Sequence, residues 1–133
     1  MPRSRRRAVR LKRVYDPPSR ADGMRVLVDR LWPRGLSRQE VSADLWLKDA
    51  APSSVLRRWY GHDLRRWRSF RAKYRAELAQ RDDVLRTLDD LRRRGPVTLL
   101  FATHDEAHSN AAVLREVLDQ RRPVSGTPSG DRR

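Results

Sequence analysis

Residues 9–15, VRLKRVY, alternate apolar and basic side chains, as a strand with one solvated face does. After the turn chemistry of DPPSRADG (16–23), the run MRVLVDRLW predicts a second strand over 24–32, centred on Val26, Leu27 and Val28 and broken by Pro33 and Gly35. VTLLFAT (97–103) is continuously apolar, the signature of a strand buried on both faces. Helical periodicity fills most of the rest. Ser37 and Glu40 form a capping box for a short helix, and PSSVLRRWYGHD (52–63) predicts another, with Pro52 near its start and Gly61 after it. Trp67, Phe70, Tyr74 and Leu78 fall at i, i+3, i+7 and i+11, one stripe of a longer helix over 64–80. Residues 82–93 continue helically, with Val84, Leu85, Leu88 and Leu91 inward and Arg92 to Arg94 at the end where cations suit the helix dipole. Gly95-Pro96 stops that helix, and a last one is expected over 106–121, with Ala107, Ala111, Leu114 and Leu118 on one face.

The order strand, strand, helices, strand, helix predicts a single α/β domain built on a small, largely parallel sheet sandwiched by helices. Its expected span is 9–122. Residues 1–8 and 123–133 carry no periodic apolar positions and are expected to be solvated, partly disordered tails. In such sheets ligands bind beyond the carboxyl ends of the strands. Two polar clusters sit there: VDRLWPRG (28–35) after the second strand, and THDEAHSN (103–110) after the third.

Charge changes this picture less than its size suggests. The net charge is +14, but residues 1–13 carry seven basic side chains and no acid, and residues 121–133 carry a net +3. Residues 14–120 are left with only +4. Most of the excess therefore sits in the two ends, where weak, salt-sensitive binding to nucleic acid is expected. The chain has no cysteine, which excludes disulfides, thiolate zinc sites and cysteine nucleophiles. No apolar run reaches the roughly 20 residues of a membrane span, and no apolar stretch comes after the basic N-terminus, so a cytoplasmic protein without membrane contact is expected.

The candidate chemistry is that of an anion site. Arg30 and Arg34 offer guanidinium forks for carboxylate or phosphate, Asp29 would orient one of them, and Asn110 would contact the ligand. His108 and His62 are the candidate acid–base groups. The competing reading of the first cluster is a buried ion pair between Asp29 and an arginine that holds a Trp32–Pro33 corner. His104 and His108 stand four apart, but the glutamate of HDEAH is third rather than second, unlike a zinc-protease motif, and no metal site is expected. There is no glycine-rich phosphate loop and no G-x-S-x-G elbow. The cofactor is left unknown.

KRVYDPPSRADGMRVLVDRLWPRGLS, WLKDAAPSSVLRRWYGHD, FRAKYRAEL and VTLLFATHDEAHSNAAVLREVL together resemble the YeaO-like branch of domain-of-unknown-function family 488, over about residues 11–120. The resemblance implies a small bacterial or archaeal α/β protein from a family with no agreed biochemical activity, some of whose members carry transcription-regulator labels. It places recurring residues at Asp29, Arg30, Trp32, Pro33, Arg34 and Gly35, at Trp46, Pro52, Ser53, Leu56, Trp59, His62, Phe70, Tyr74, Glu77 and Leu78, and at Asp105, His108, Asn110 and Ala111. His104 departs from the family, which commonly has Lys there. Glu77 is an expected partner for an arginine of the opening cluster.

Two functional readings stand as expectations. The first is binding of a small anionic ligand, phosphorylated or nucleotide-like, at the strand carboxyl ends, with enzymatic activity left open. The second is a nucleic-acid-binding or regulatory role through the basic tails and Arg57, Arg58, Arg65, Arg66 and Arg68. A homodimer face built by the Trp-rich helices is also left open.

Overall fold

The computed structural model describes residues 8–121; the chain ends beyond them, with nearly all of both expected tails, lie outside the described residues. Strands β1 (Arg10–Arg13), β2 (Met24–Leu27), β3 (Leu45–Trp46) and β4 (Val97–Phe101) form one sheet in the order β1-β4-β2-β3. Every pairing is parallel, with Leu11 opposite Leu99 and Val26 opposite both Leu99 and Leu45. β4 therefore lies between β1 and β2, and all five of its residues are buried, as its unbroken apolar run requires. Helices α1 (Arg38–Val41), α2 (Ser54–Tyr60), α3 (Trp67–Ala79), α4 (Asp82–Arg94) and α5 (Asn110–Gln120) complete an α/β fold.

Period-two alternation divides the sheet's side chains between two cores. Val26, Val28, Leu99 and Phe101 pack with Tyr74 and Leu78 of α3, Leu85 and Leu88 of α4, and Leu114 and Leu118 of α5. Leu27, Leu100 and Val14 belong to a smaller core with Val41, Trp32, Leu36 and Trp46. The second face is thus covered by the single turn of α1 and by two indoles that meet edge to face at 5.2 Å. Arg25 closes this side from within. Its guanidinium reaches Asp22, the Val41 carbonyl at 2.6 Å and the Ser42 carbonyl at 3.0 Å, while its backbone N–H donates to Asp44. On the other side Arg92 of α4 is buried, donating to Asp89 at 3.0 and 2.6 Å and to the Leu118 carbonyl of α5 at 2.6 Å.

Several boundaries differ from those read in the sequence. β2 stops at Leu27, although Val28 N–H still reaches the Leu100 carbonyl at 3.1 Å. The helix expected over 64–80 is a 3₁₀ turn at Leu64–Arg66 followed by α3. The last helix begins at Asn110 rather than 106: Ser109 caps it by accepting from Ala112 N–H, and Asp105 caps only the 3₁₀ turn Glu106–His108. β3 is not among the elements expected from the sequence.

Candidate functional site

The carboxyl ends of β2 and β4 lie side by side, and the segments leaving these strands turn over the end of the sheet. The Asp29 carboxylate is fixed first. Its Oδ2 accepts from the N–H of Ala102, the residue after β4, at 2.9 Å. Asn110, at the start of α5, donates from Nδ2 to the Val28 carbonyl at 2.9 Å and also hydrogen-bonds the Asp29 side chain. The Asp29 carbonyl in turn accepts from the Trp46 indole at 2.8 Å. Neutral hydrogen-bond partners thus tie the three segments together around this carboxylate. Burial pushes the Asp29 carboxyl up to about 6, against the opposing effect of its two hydrogen bonds, and among the described residues no arginine forms an ion pair with it.

The arginines therefore do not form the internal pair with Asp29. Arg30 donates from Nε to the Pro52 carbonyl at 3.2 Å. Arg34 contributes only its backbone carbonyl, which accepts from the Tyr15 hydroxyl at 3.2 Å. Glu77 is taken as well: it accepts from Ser53 N–H at 2.8 Å and Ser53 Oγ at 2.6 Å, and lies 3.5 Å from Arg81. Glu77 thus fixes the start of α2 and pairs with no arginine of the opening cluster. The corner itself is made by Trp32, whose indole donates to the Leu36 carbonyl at 2.7 Å, and by buried Pro33.

These residues surround a pocket of about 470 Å³, within the range common for small-molecule sites. Asp29, Arg30, Arg34, His62, His108 and Asn110 all line it, so the structure brings together the six residues singled out in the sequence. Its wall also holds Tyr60 and Phe70, stacked at 4.4 Å, and Arg57 at its side. Among the described residues, three arginines and one carboxylate line the pocket. Among the described residues, neither the Arg34 nor the Arg57 side chain has a hydrogen-bond or ion-pair partner.

His108 is oriented from both sides. Its Nδ1 lies 2.7 Å from Asp105 Oδ2, and its ring stands edge-on against Trp67 at 5.0 Å. That hydrogen bond holds the Asp105 carboxyl below its ordinary range. His62 is exposed and adopts a left-handed backbone (φ 59°) just after α2, with its ring 6.1 Å from Tyr60. His104 does not line the pocket, and among the described residues no group of three or more His, Cys, Asp or Glu is placed to hold a metal ion.

Two contributors escape the sequence pattern. Arg57 reads there as part of a basic surface and Tyr60 as part of a helix. They stand three apart on α2, a spacing that puts both on one face and is the signal that could have joined them. Of the other basic residues considered for nucleic acid, Arg65 and Arg66 are engaged by Asp63, and Arg66 also packs over the Trp59 ring. Among the described residues no helix is long and apolar enough to cross a membrane.

Known proteins add a family to this geometry. The chain is similar to the uncharacterised protein YeaO of Escherichia coli, with 39% identity over 110 residues, covering 83% of this chain and 96% of that one. An uncharacterised protein of Mycobacterium tuberculosis strain H37Rv is 42% identical over 113 residues, 85% of this chain and 95% of its own. No solved structure matches. The family model that spans residues 8–129 is described as the inactive DUF488-N3 subclade, and the chain belongs to that family.

Proposed function

We propose that this protein binds a small anionic ligand, phosphorylated or nucleotide-like, in the pocket at the carboxyl ends of β2 and β4. One observation carries the reading: Arg34 and Arg57 line the pocket, and among the described residues their guanidinium groups have no partner. Arginine forks match phosphate oxygens bidentately, and an unengaged pair loses no internal bond on binding. Arg30, anchored to Pro52 through Nε, keeps its two terminal amino groups for the same anion. His108 and Asn110 contact the ligand from the α5 side. The description of the family as inactive supports binding without turnover.

The test is thermal unfolding of the full chain across a panel of phosphate, sulfate, citrate and nucleoside monophosphates. The reading expects stabilisation that grows with ligand concentration, as linkage requires, and its loss in Arg34→Ala and Arg57→Ala. An unchanged response in both variants sinks it.

The Asp105–His108 contact favours a second reading, in which His108 moves a proton. With Nδ1 held by Asp105, Nε2 is left to act on a bound molecule. Phosphorus NMR of bound phosphate esters separates the two: products that form with the wild type and not with His108→Ala support turnover. His62, on the exposed rim, is the alternative proton carrier and takes the same test.

A further inference from the structure

The pocket presents two kinds of polar group, and the arginines account for only one. At its inner end Asp29 is a carboxylate held by N–H donors from Ala102 and Asn110. Among the described residues no cation is paired to it, although three arginines line the same pocket. A carboxylate has about four lone-pair positions, so these two bonds leave acceptor capacity unused. Elsewhere in the wall Tyr60, whose hydroxyl feels the charges of Asp105 and Asp63, is 7% exposed and has no hydrogen bond from that hydroxyl among the described residues. Buried polar groups are nearly always paired, so a hydroxyl in a pocket wall with no protein partner is free to pair with a hydroxyl of a bound ligand. The Tyr60 ring is fixed by Phe70 at 4.4 Å and Trp67 at 5.9 Å, which denies the hydroxyl an easy escape to another partner.

An anion alone does not satisfy this arrangement. Placed against Asp29 it would meet a like charge; placed between Arg34 and Arg57 it would leave Asp29 and Tyr60 as they are. A ligand with an anionic head and hydroxyl donors at its other end satisfies both.

Resting on the anion-site reading above, we propose that the ligand is a phosphate monoester of a polyhydroxy compound, such as a sugar phosphate or the ribose phosphate part of a nucleotide. Its phosphate lies between Arg34 and Arg57, and its hydroxyls donate to Asp29 and pair with the Tyr60 hydroxyl. Specificity then arises from the hydroxyl contacts, because a phosphate without hydroxyls leaves the Asp29 and Tyr60 groups unmatched.

Titration calorimetry of the full chain with inorganic phosphate and with ribose 5-phosphate tests this. The wild type is expected to bind ribose 5-phosphate at least tenfold more tightly. Tyr60→Phe, which deletes only the unpaired hydroxyl, and Asp29→Asn, which keeps an oxygen acceptor for Ala102 N–H, are each expected to reduce that preference severalfold while inorganic phosphate binds as before. Equal binding of the two probes to the wild type overturns the hydroxyl inference and leaves the anion site standing, as does a preference unchanged in both variants. Binding of neither probe overturns both.

Discussion

The N–H of Ala102 and the carboxylate of Asp29, 2.9 Å apart, join the exits of the two central strands. The bond gives Asp29 a structural role, and burial gives it an electrostatic cost, raising its carboxyl from 3.8 to about 6. A folded-state value above the unfolded one means that the folded protein holds the proton more tightly. The contribution of the protonated carboxyl to stability is complete below pH 3.8, declines as the pH rises toward 6, and is lost above it. Asp29→Asn, which keeps an acceptor for Ala102, is therefore expected to be more stable than the wild type at pH 7.5, by on the order of 2 kcal/mol. Urea unfolding at pH 7.5 and at pH 4.5 checks this; the advantage must shrink at the lower pH, and an advantage that grows there contradicts the assignment.

Gly23 ends the 3₁₀ turn Arg20–Asp22 with φ 64°, and a Cβ placed on it would stand 2.3 Å from the Pro96 carbonyl oxygen. That approach sets β2 beside β4, because Met24 N–H donates to the same carbonyl at 2.9 Å. Gly23→Ala combines left-handed strain with a backbone clash, and a loss of about 2–4 kcal/mol is expected. A midpoint of thermal unfolding within a degree of the wild type would show that the strand start yields easily.

The apolar patterns report the fold well because each long element carries its own. The β4 run is buried on both faces and sits centrally; the Phe70, Tyr74 and Leu78 stripe, with Trp67 packed at its edge, faces the main core. What escapes the pattern is short. β3 has two residues, too few for any periodicity, and is set in place by Asp44 and Leu47, which bond β2 from either side of it. The start of α5 is ambiguous in sequence because Asp105 and Ser109 are both good caps four residues apart, and nothing local shows that a 3₁₀ turn separates them.

Site residues are legible as types and not as partners. Asp29, Arg30, Arg34, His108 and Asn110 stand out because strand exits rarely carry so many polar side chains, and they do line one pocket. That Asp29 would choose Ala102 N–H over an arginine, and that Glu77 would choose Ser53, depends on where three separate segments cross. Nothing local encodes that choice.

Arg92 makes a different kind of prediction, since among the described residues it is the largest fully buried side chain and it does not line the pocket at the strand ends. Its guanidinium binds Asp89 within α4 and the Leu118 carbonyl on α5, which joins two helices through a charge removed from water. Arg92→Met keeps the aliphatic volume and strips the bonds, leaving the Leu118 carbonyl without this donor and Asp89 with less compensation. Destabilisation of about 3 kcal/mol is expected, read as a lower urea midpoint at unchanged slope. Gain of stability would mean that the desolvation cost of the pair exceeds its attraction.

The basic excess yields the last prediction. Residues 1–8 and 123–133 carry +5 of the net +14, and in the folded body Arg65 and Arg66 are already engaged by Asp63. If affinity for DNA arises from the chain ends, it is an unspecific phosphate attraction, whose logarithm falls linearly with the logarithm of salt concentration. The full chain is expected to bind duplex DNA at low salt without sequence preference, and a chain lacking residues 1–8 and 123–133, whose net charge falls from +14 to +9, is expected to bind several-fold more weakly at about 0.15 M salt. Fluorescence anisotropy with two unrelated duplexes measures both. Sequence-dependent binding that survives the deletion would move the nucleic-acid contact onto the folded body and make Arg57, Arg58 and Arg68 the residues to replace next.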